Sequence, residues 1–217
     1  FGSIKKAGIT PVADPRWGIA GLGKIAHEFA VALSVSGSII QAVAAGSLPN
    51  KKERSSGFAA KFGANSSYSS YLELAKDPNV DIVYVATTNN LHREVVLTMI
   101  QHGKHVLVEK PTAMSTKEAE EMTKAARDRG VFFATNFWNS VFPAVRFARQ
   151  AVRSGMIGNL VQLSGDMGFQ AVRSAAATDR WFSDKLGGGS TMDMACYLIQ
   201  FLILFTNEAL AAVSSSN

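Results

Sequence analysis

From residue 16 to residue 136, short unbroken apolar runs alternate with stretches of helical periodicity, and this rhythm limits the chain to few folds. RWGIA (16–20), SIIQAVAA (38–45), DIVYVA (81–86), HVLVE (105–109) and VFFATN (131–136) read as strands. They lack polar alternation, as strands buried on both faces do. Between them, KIAHEFAVALSV (24–35), KKERSSGFAAKF (51–62), SYLELAKD (70–77), NLHREVVLTMIQH (90–102) and STKEAEEMTKAARDRG (115–130) read as helices. The last has a capping-box pair, Ser115 and Glu118, and a glycine stop. Strand–helix alternation of this length predicts an α/β fold built on a doubly wound parallel sheet.

Past residue 137 the rhythm changes. FPAVRFARQAVRSG (142–155) reads as a helix and NLVQLSGDMGF (159–169) as an alternating strand. Residues 170–187 read as an irregular loop, then come a glycine-rich turn and an apolar helix over 191–205. The division expected is a leader over 1–15, a dinucleotide-binding domain over 16–137 and the start of an α+β domain over 138–217. That second domain reads as incomplete, because a lone strand is not a sheet.

Composition narrows the function. The charge of +5 is spread along the chain with no dense Lys/Arg block, so nucleic acid is not expected as a partner. The apolar run 195–205 is too short to span a bilayer and contains Gln200, so a buried helix and no membrane association are expected. Cys196 is the one cysteine, which rules out an internal disulfide and fits a reducing, cytoplasmic setting. His102 and His105 straddle a helix end and a strand start, and no metal site is expected. The chain begins with Phe, without a signal-type apolar core, which suggests processing or a fragment.

Chemistry-bearing residues gather where strands end. In GIAGLGKIA (18–26), Gly21, Gly23 and Ala26 fit G-x-G-x-x-G/A between a strand and a helix. Gly21 permits the tight turn, Gly23 lets backbone approach a pyrophosphate, and the helix N-terminus faces the phosphates. Leu22, Lys24 and Ile25 count with this loop as candidate cofactor residues. The acid usual on the ribose about 20 residues later is missing. AVAAGSLPNKKER offers Ser47, Lys51, Lys52 and Arg54 before or beside Glu53, a leaning towards NADP over NAD. An ordinary solvated helix start explains those bases as well.

At the next strand end, ATTNNLHREV (86–95) offers Thr87, Asn89 and His92 to a cofactor, or else a polar turn. Glu109-Lys110-Pro111 ends another strand on the same rim. A lysine there can lower a neighbouring acid's pKa or hydrogen-bond a carbonyl oxygen, although such lysines are usually solvated. In GGGSTMDMACYLIQ (187–200), Asp193 and Tyr197 are four residues apart and share a helix face. By themselves they read rather as a Ser190–Asp193 capping box and a core aromatic.

Together, and in this order, the glycine loop, ATTNNLH, HVLVEKP and GGG-x-x-x-D-x-x-x-Y resemble the Gfo/Idh/MocA family of nicotinamide-dependent oxidoreductases. YLELAKDPNVDIVYVAT, ARDRGVFF and the W-x-x-x-F-P of WNSVFP are most similar to the branch that acts on dihydrodiols and D-xylose. The resemblance covers about residues 16 to 206. It implies a Rossmann domain, Lys110 and Tyr197 as a catalytic pair, and Asp193 as the residue that orients substrate. It also implies Trp138 at the substrate and Glu109 with Lys110 beside the cofactor. The implied reaction passes a hydride between NADP(H), or NAD(H), and the hydroxyl or carbonyl carbon of a dihydrodiol or an aldose such as D-xylose. Another polyol or ketone, or nucleotide binding without catalysis, are the alternatives. Full-length relatives are expected to be homo-oligomers.

Three departures stand out. Ser140 replaces an arginine usual after the tryptophan, and Ala195 replaces a glycine two residues after the aspartate. The family's second domain continues well past residue 217, so a fragment or truncated form is expected. The apolar faces of 159–169 and 195–205 would then lack their covering strands.

Overall fold

The structure is a computed structural model that describes residues 14–46, 50–168 and 180–215, with side chains described to residue 207. Most of the expected leader, Ser47 and most of the 170–187 loop fall outside the described residues. The chain divides into two compact units, Phe1–Asn136 and Phe137–Asn217.

In the first unit, six parallel strands lie in the order β3-β2-β1-β4-β5-β6. They are β1 (Trp17–Ala20), β2 (Ile40–Ala44), β3 (Ser66–Tyr68), β4 (Ile82–Val85), β5 (His105–Val108) and β6 (Phe133–Thr135). The helices are α1 (Lys24–Val35), α2 (Lys51–Phe62), α3 (Tyr71–Lys76), α4 (His92–Gln101) and α5 (Thr116–Arg129). This is the doubly wound order, with its switch point between β1 and β4.

Side-chain alternation assigns the two faces of the sheet. Ile19, Val43 and Tyr84 join Ala26, Ala30, Leu33, Phe58 and Ala59 in one cluster, beneath α1 and α2. Ala20, Ala42, Ala44, Val83, Val85, Val106 and Val108 join Leu74, Val96, Met99 and Met122 in the other, beneath α3, α4 and α5. The Phe29 ring of α1 stacks on Tyr84 of β4, 3.9 Å between centroids. Branched side chains on both faces leave the central strands dry, and the main chain meets its hydrogen-bonding needs within the ladder.

Local signals set the helix ends. α5 starts at Ser115, whose hydroxyl accepts from the Glu118 N–H at 3.3 Å. The expected capping box is only half formed, because the Glu118 carboxylate accepts from the Met114 N–H rather than from Ser115. A complete box occurs at Ser70 and Glu73, at the head of α3. α4 begins at His92, two residues later than expected, after a 3-10 turn over Asn89–Leu91.

β3 escaped the sequence reading. Its three residues, Ser-Ser-Tyr, are too short and polar to show an apolar run. Tertiary ties place it: the buried Ser55 hydroxyl of α2 donates to Tyr68 O at 2.7 Å and accepts from the Ala45 N–H at 3.1 Å.

Among its described residues, the second unit is helical. A 3-10 turn over Trp138–Val141 leads into α6 (Pro143–Arg153), and short turns follow at Arg180–Phe182 and Asp184–Leu186. A π-turn over Thr191–Ala195 then opens α7 (Cys196–Ser215). The strand expected over 159–169 is not formed in 159–168. A strand needs a neighbour for its N–H and C=O groups, and the described residues of this unit supply none. Its alternation is real, yet Val161 is 94% exposed.

The apolar helix also differs from expectation. α7 packs along α6, but Ile199, Leu202 and Ile203 are all more than half exposed, so it is not a buried helix. By length and composition alone, Asp184–Asn207 is apolar enough to cross a membrane. That stretch also carries Asp184, Lys185 and Asp193.

Candidate functional site

The carboxyl ends of β1, β4, β5 and β6 form one rim of the first unit, and Gly21, Gly23, Thr87, Asn89, Glu109 and Lys110 follow these strand ends. At the end of β1, Gly21 has φ +90° and its N–H donates to Ala44 O at 2.9 Å. A Cβ at Gly21 would lie 2.6 Å from Ala86 O, so only glycine lets the turn cross the end of β4. Gly23 has a different reason for being small. It caps α1 with φ −84° and no side-chain cap, and a Cβ there would meet nothing within 4 Å among the described residues.

Open space therefore lies over N–H groups at the start of α1 that no cap satisfies, which is what a phosphate cradle needs. The loop side chains divide. Leu22 is buried in the core, so only its backbone can serve a ligand. Lys24 and Ile25 face outward, Lys24 about 3.8 Å from Glu28. Arg54 is exposed on the first turn of α2, with Lys51 and Lys52.

Beyond β4, the buried Thr87 Oγ1 has no hydrogen-bond partner among the described residues. A buried hydroxyl is costly to leave unpaired, so this atom suits a ligand's polar group. Asn89 is buried on the turn that follows. His92, expected to touch the cofactor, is wholly buried. Its Nδ1 lies 2.9 Å from Pro111 O and its Nε2 3.3 Å from Thr87 O. It ties the Thr87 turn to the Lys110 turn, and burial pushes its pKa down.

At the end of β5, the Glu109 carboxylate is buried. It accepts from Tyr84 Oη at 2.5 Å, Asn136 Nδ2 at 2.7 Å and the Lys110 N–H at 3.2 Å. The Tyr84 phenol is pushed up, first by burial and then by the charge of Glu109. Lys110 is half-buried and precedes a cis peptide to Pro111. Glu109 thus anchors the backbone of Lys110 through three strand ends.

Tyr84 and Asn136 were missed from sequence. A tyrosine within the dry run IVYV was the available signal, since a buried phenol needs a partner.

In the second unit, Asp193 and Tyr197 are both buried. Asp193 faces Arg180, whose Nη1 is 3.2 Å from Oδ2 and 3.4 Å from Oδ1. The Arg180 guanidinium stacks over Trp181 at 4.2 Å. Ser190 makes no side-chain cap, so the capping-box alternative for Asp193 is not what forms. Instead the Asp193 N–H donates to Gly189 O at 3.0 Å.

The glycine run is explained by packing. A Cβ at Gly188 would overlap the Arg180 carbonyl, and Gly189 donates to Trp181 O at 2.8 Å. Glycines therefore let the 180–183 turn lie on the start of the helix and bring Arg180 to Asp193. Arg180 too was missed, because a contact across an irregular loop leaves no periodic trace.

Trp138 Nε1 donates to Tyr197 Oη at 3.1 Å, and the Phe137 ring meets the Tyr197 ring edge-on. Ser140 Oγ turns back to its own backbone, donating to Phe137 O at 2.6 Å.

Known protein families match both units of the chain. Residues 15–137 match the oxidoreductase family with an NAD-binding Rossmann fold, and residues 145–216 match the Gfo/Idh/MocA C-terminal domain. Trans-1,2-dihydrobenzene-1,2-diol dehydrogenase of Mus musculus is 40% identical over 190 residues, covering 86% of this chain and 55% of that protein. The Xenopus tropicalis enzyme of the same name is 35% identical over 195 residues, covering 88% of this chain and 57% of that protein. The chain thus spans little more than half the length of these relatives.

Among solved structures, an NAD-binding oxidoreductase from Klebsiella pneumoniae superposes with TM-score 0.73 at 26% identity, covering 89% of this chain and 53% of that one. A 3-ketoreductase from Actinomadura kijaniata, in complex with TDP-benzene and NADP, gives 0.60 at 30% identity, covering 67% and 45%. On its matched domains and its rim, the chain belongs to the Gfo/Idh/MocA family of oxidoreductases.

Proposed function

We propose that the protein is an NADP-preferring dehydrogenase that passes a hydride between a nicotinamide cofactor and the hydroxyl or carbonyl carbon of a dihydrodiol or an aldose such as D-xylose. The observation that carries the reading is the rim itself. An open, uncapped glycine turn, an unpartnered buried Thr87 hydroxyl and an anchored Lys110 lie along consecutive strand ends of one sheet. The cradle fits the pyrophosphate of a dinucleotide. No acid occurs between β2 and Glu53, which with Lys51, Lys52 and Arg54 exposed on α2 favours a ribose 2′-phosphate. Similarity to dihydrodiol dehydrogenases supports the diol, and the NADP in the ketoreductase complex supports the cofactor.

The bound nicotinamide would supply the hydride acceptor. The protein's own residues would handle the proton. As the substrate carbon loses its hydride, the hydroxyl proton passes to the Tyr197 phenolate oxygen and a carbonyl forms. In this reading Lys110 stabilises that phenolate and the developing carbonyl oxygen. Asp193, held by Arg180, orients a second substrate hydroxyl. Trp138 borders the substrate. The reverse reaction uses the same groups with the proton returned. The setting proposed is cytoplasmic and the substrate a small molecule.

The test is turnover with NADP and NAD against a panel of diols and sugars, for the parent chain, Lys110→Met and Tyr197→Phe. Both variants should lose about 10²–10⁴-fold in kcat, while cofactor quenching of tryptophan fluorescence persists. Near-parental turnover in either variant removes that residue from the mechanism.

A further inference from the structure

We infer that Trp138 acts on Tyr197 rather than on substrate alone: its indole N–H is a fixed donor to the phenol oxygen and stabilises the phenolate. This rests on the reading of Tyr197 as the proton-transfer group. The geometry is a 3.1 Å bond from Nε1 to Oη between the turn Trp138–Val141 and the first turn of α7.

Its chemistry runs one way. An indole nitrogen donates and never accepts, so Tyr197 must receive this bond with a lone pair. The phenol's own proton is therefore left for another acceptor. When Tyr197 ionises, the bond becomes charge-assisted and stronger, which favours the phenolate over the phenol. Two aromatic contacts hold the geometry: Phe142 packs edge-on to Trp138 at 5.1 Å, and Phe137 packs edge-on to Tyr197 at 6.1 Å.

Among the described residues, the charged and titratable groups on the elements packed around Tyr197 are few. The turn 138–141 carries no titratable group. On the helix of Tyr197, Asp193 is paired with Arg180, and Cys196 is adjacent in sequence. α6, packed along α7, carries Arg146, Arg149 and Arg153. The proposed reaction adds Lys110. Each of these remains in a Trp138→Phe variant, which removes the N–H and keeps an aromatic ring.

Two readouts test the inference. The first needs no turnover: tyrosinate absorbance is titrated, and the signal lost in Tyr197→Phe isolates Tyr197. In the Trp138→Phe background the Tyr197 pKa should rise by about one unit, the equivalent of a tenfold loss of phenolate at fixed pH. The second is the pH profile of kcat for diol oxidation, whose acid limb should move up with it while KM changes less. Circular dichroism confirms that the variant folds.

An unchanged Tyr197 titration in Trp138→Phe overturns the inference, whatever happens to activity. A shifted titration alongside full turnover in Tyr197→Phe instead overturns the reading of Tyr197 as the proton-transfer group.

Discussion

Substituting the two loop glycines one at a time separates folding from binding. Gly21→Ala places a methyl group 2.6 Å from the Ala86 oxygen on a backbone with φ +90°. A left-handed φ costs a non-glycine residue about 1–2 kcal/mol. Forcing the methyl past backbone adds about 1–3 kcal/mol. Their sum, about 2–5 kcal/mol, is a large part of the 5–15 kcal/mol typical of a domain. The urea midpoint of the first unit should therefore fall by about 1–2 M.

Gly23→Ala meets neither obstacle. Its φ is −84° and the added methyl touches nothing within 4 Å. Stability should change by less than about 1 kcal/mol, because the entropy gain of alanine in an extended backbone is offset by the N-cap's preference for glycine. That open space is where a pyrophosphate would press against the backbone, so NADP affinity should fall at least about tenfold, or about 1.4 kcal/mol. Urea melts followed by circular dichroism and fluorescence titration with NADP read the two effects. A Gly21→Ala protein as stable as the parent would refute the close-approach argument. Unchanged NADP affinity in a folded Gly23→Ala protein would refute the cradle.

Further outcomes follow from the same structure. Ser55→Ala strips a partner from both the Ala45 N–H and the Tyr68 carbonyl, and should cost about 1–3 kcal/mol in a urea melt. Equal stability would show that water replaces the hydroxyl. Burial depresses the folded-state pKa of His92 below the ordinary value, so the unfolded chain takes up the proton first as pH falls. The stability contributed by neutral His92 is complete above about pH 6.5 and declines as pH drops towards the folded value. His92→Gln should flatten part of that decline. His105, shifted the same way by burial, keeps its share. A pH–stability curve identical in parent and variant would remove His92 from the account.

Much of the first unit was legible in the chain alone. α1 and α2 lie at the residues their periodicity marked, 24–35 and 51–62, because each buries a stripe against the sheet and is bounded by local signals. The five apolar runs became five strands, since unbroken apolar character has one stable use in an alternating chain. Gly21 and Gly23 could be read as a phosphate turn from spacing. Their separate reasons, a steric crossing at one and open space at the other, could not.

Sequence by itself determined what depends on neighbours along the chain: helix faces, caps, the parallel sheet and the rim on which Lys110 sits. Tertiary structure decided what depends on pairing across the chain. β3 exists because β2 and Ser55 hold it, though its own residues are polar. Residues 159–168 alternate like a strand but form none among the described residues, because a ladder is a property of two segments and not of one. His92 became a tie between two turns, Glu109 an anchor for Lys110, and Trp138 a donor to Tyr197. Each depends on a long-range hydrogen bond that no periodicity encodes, His92 to Pro111, Tyr84 to Glu109 and Trp138 to Tyr197, with partners 19 to 59 residues apart.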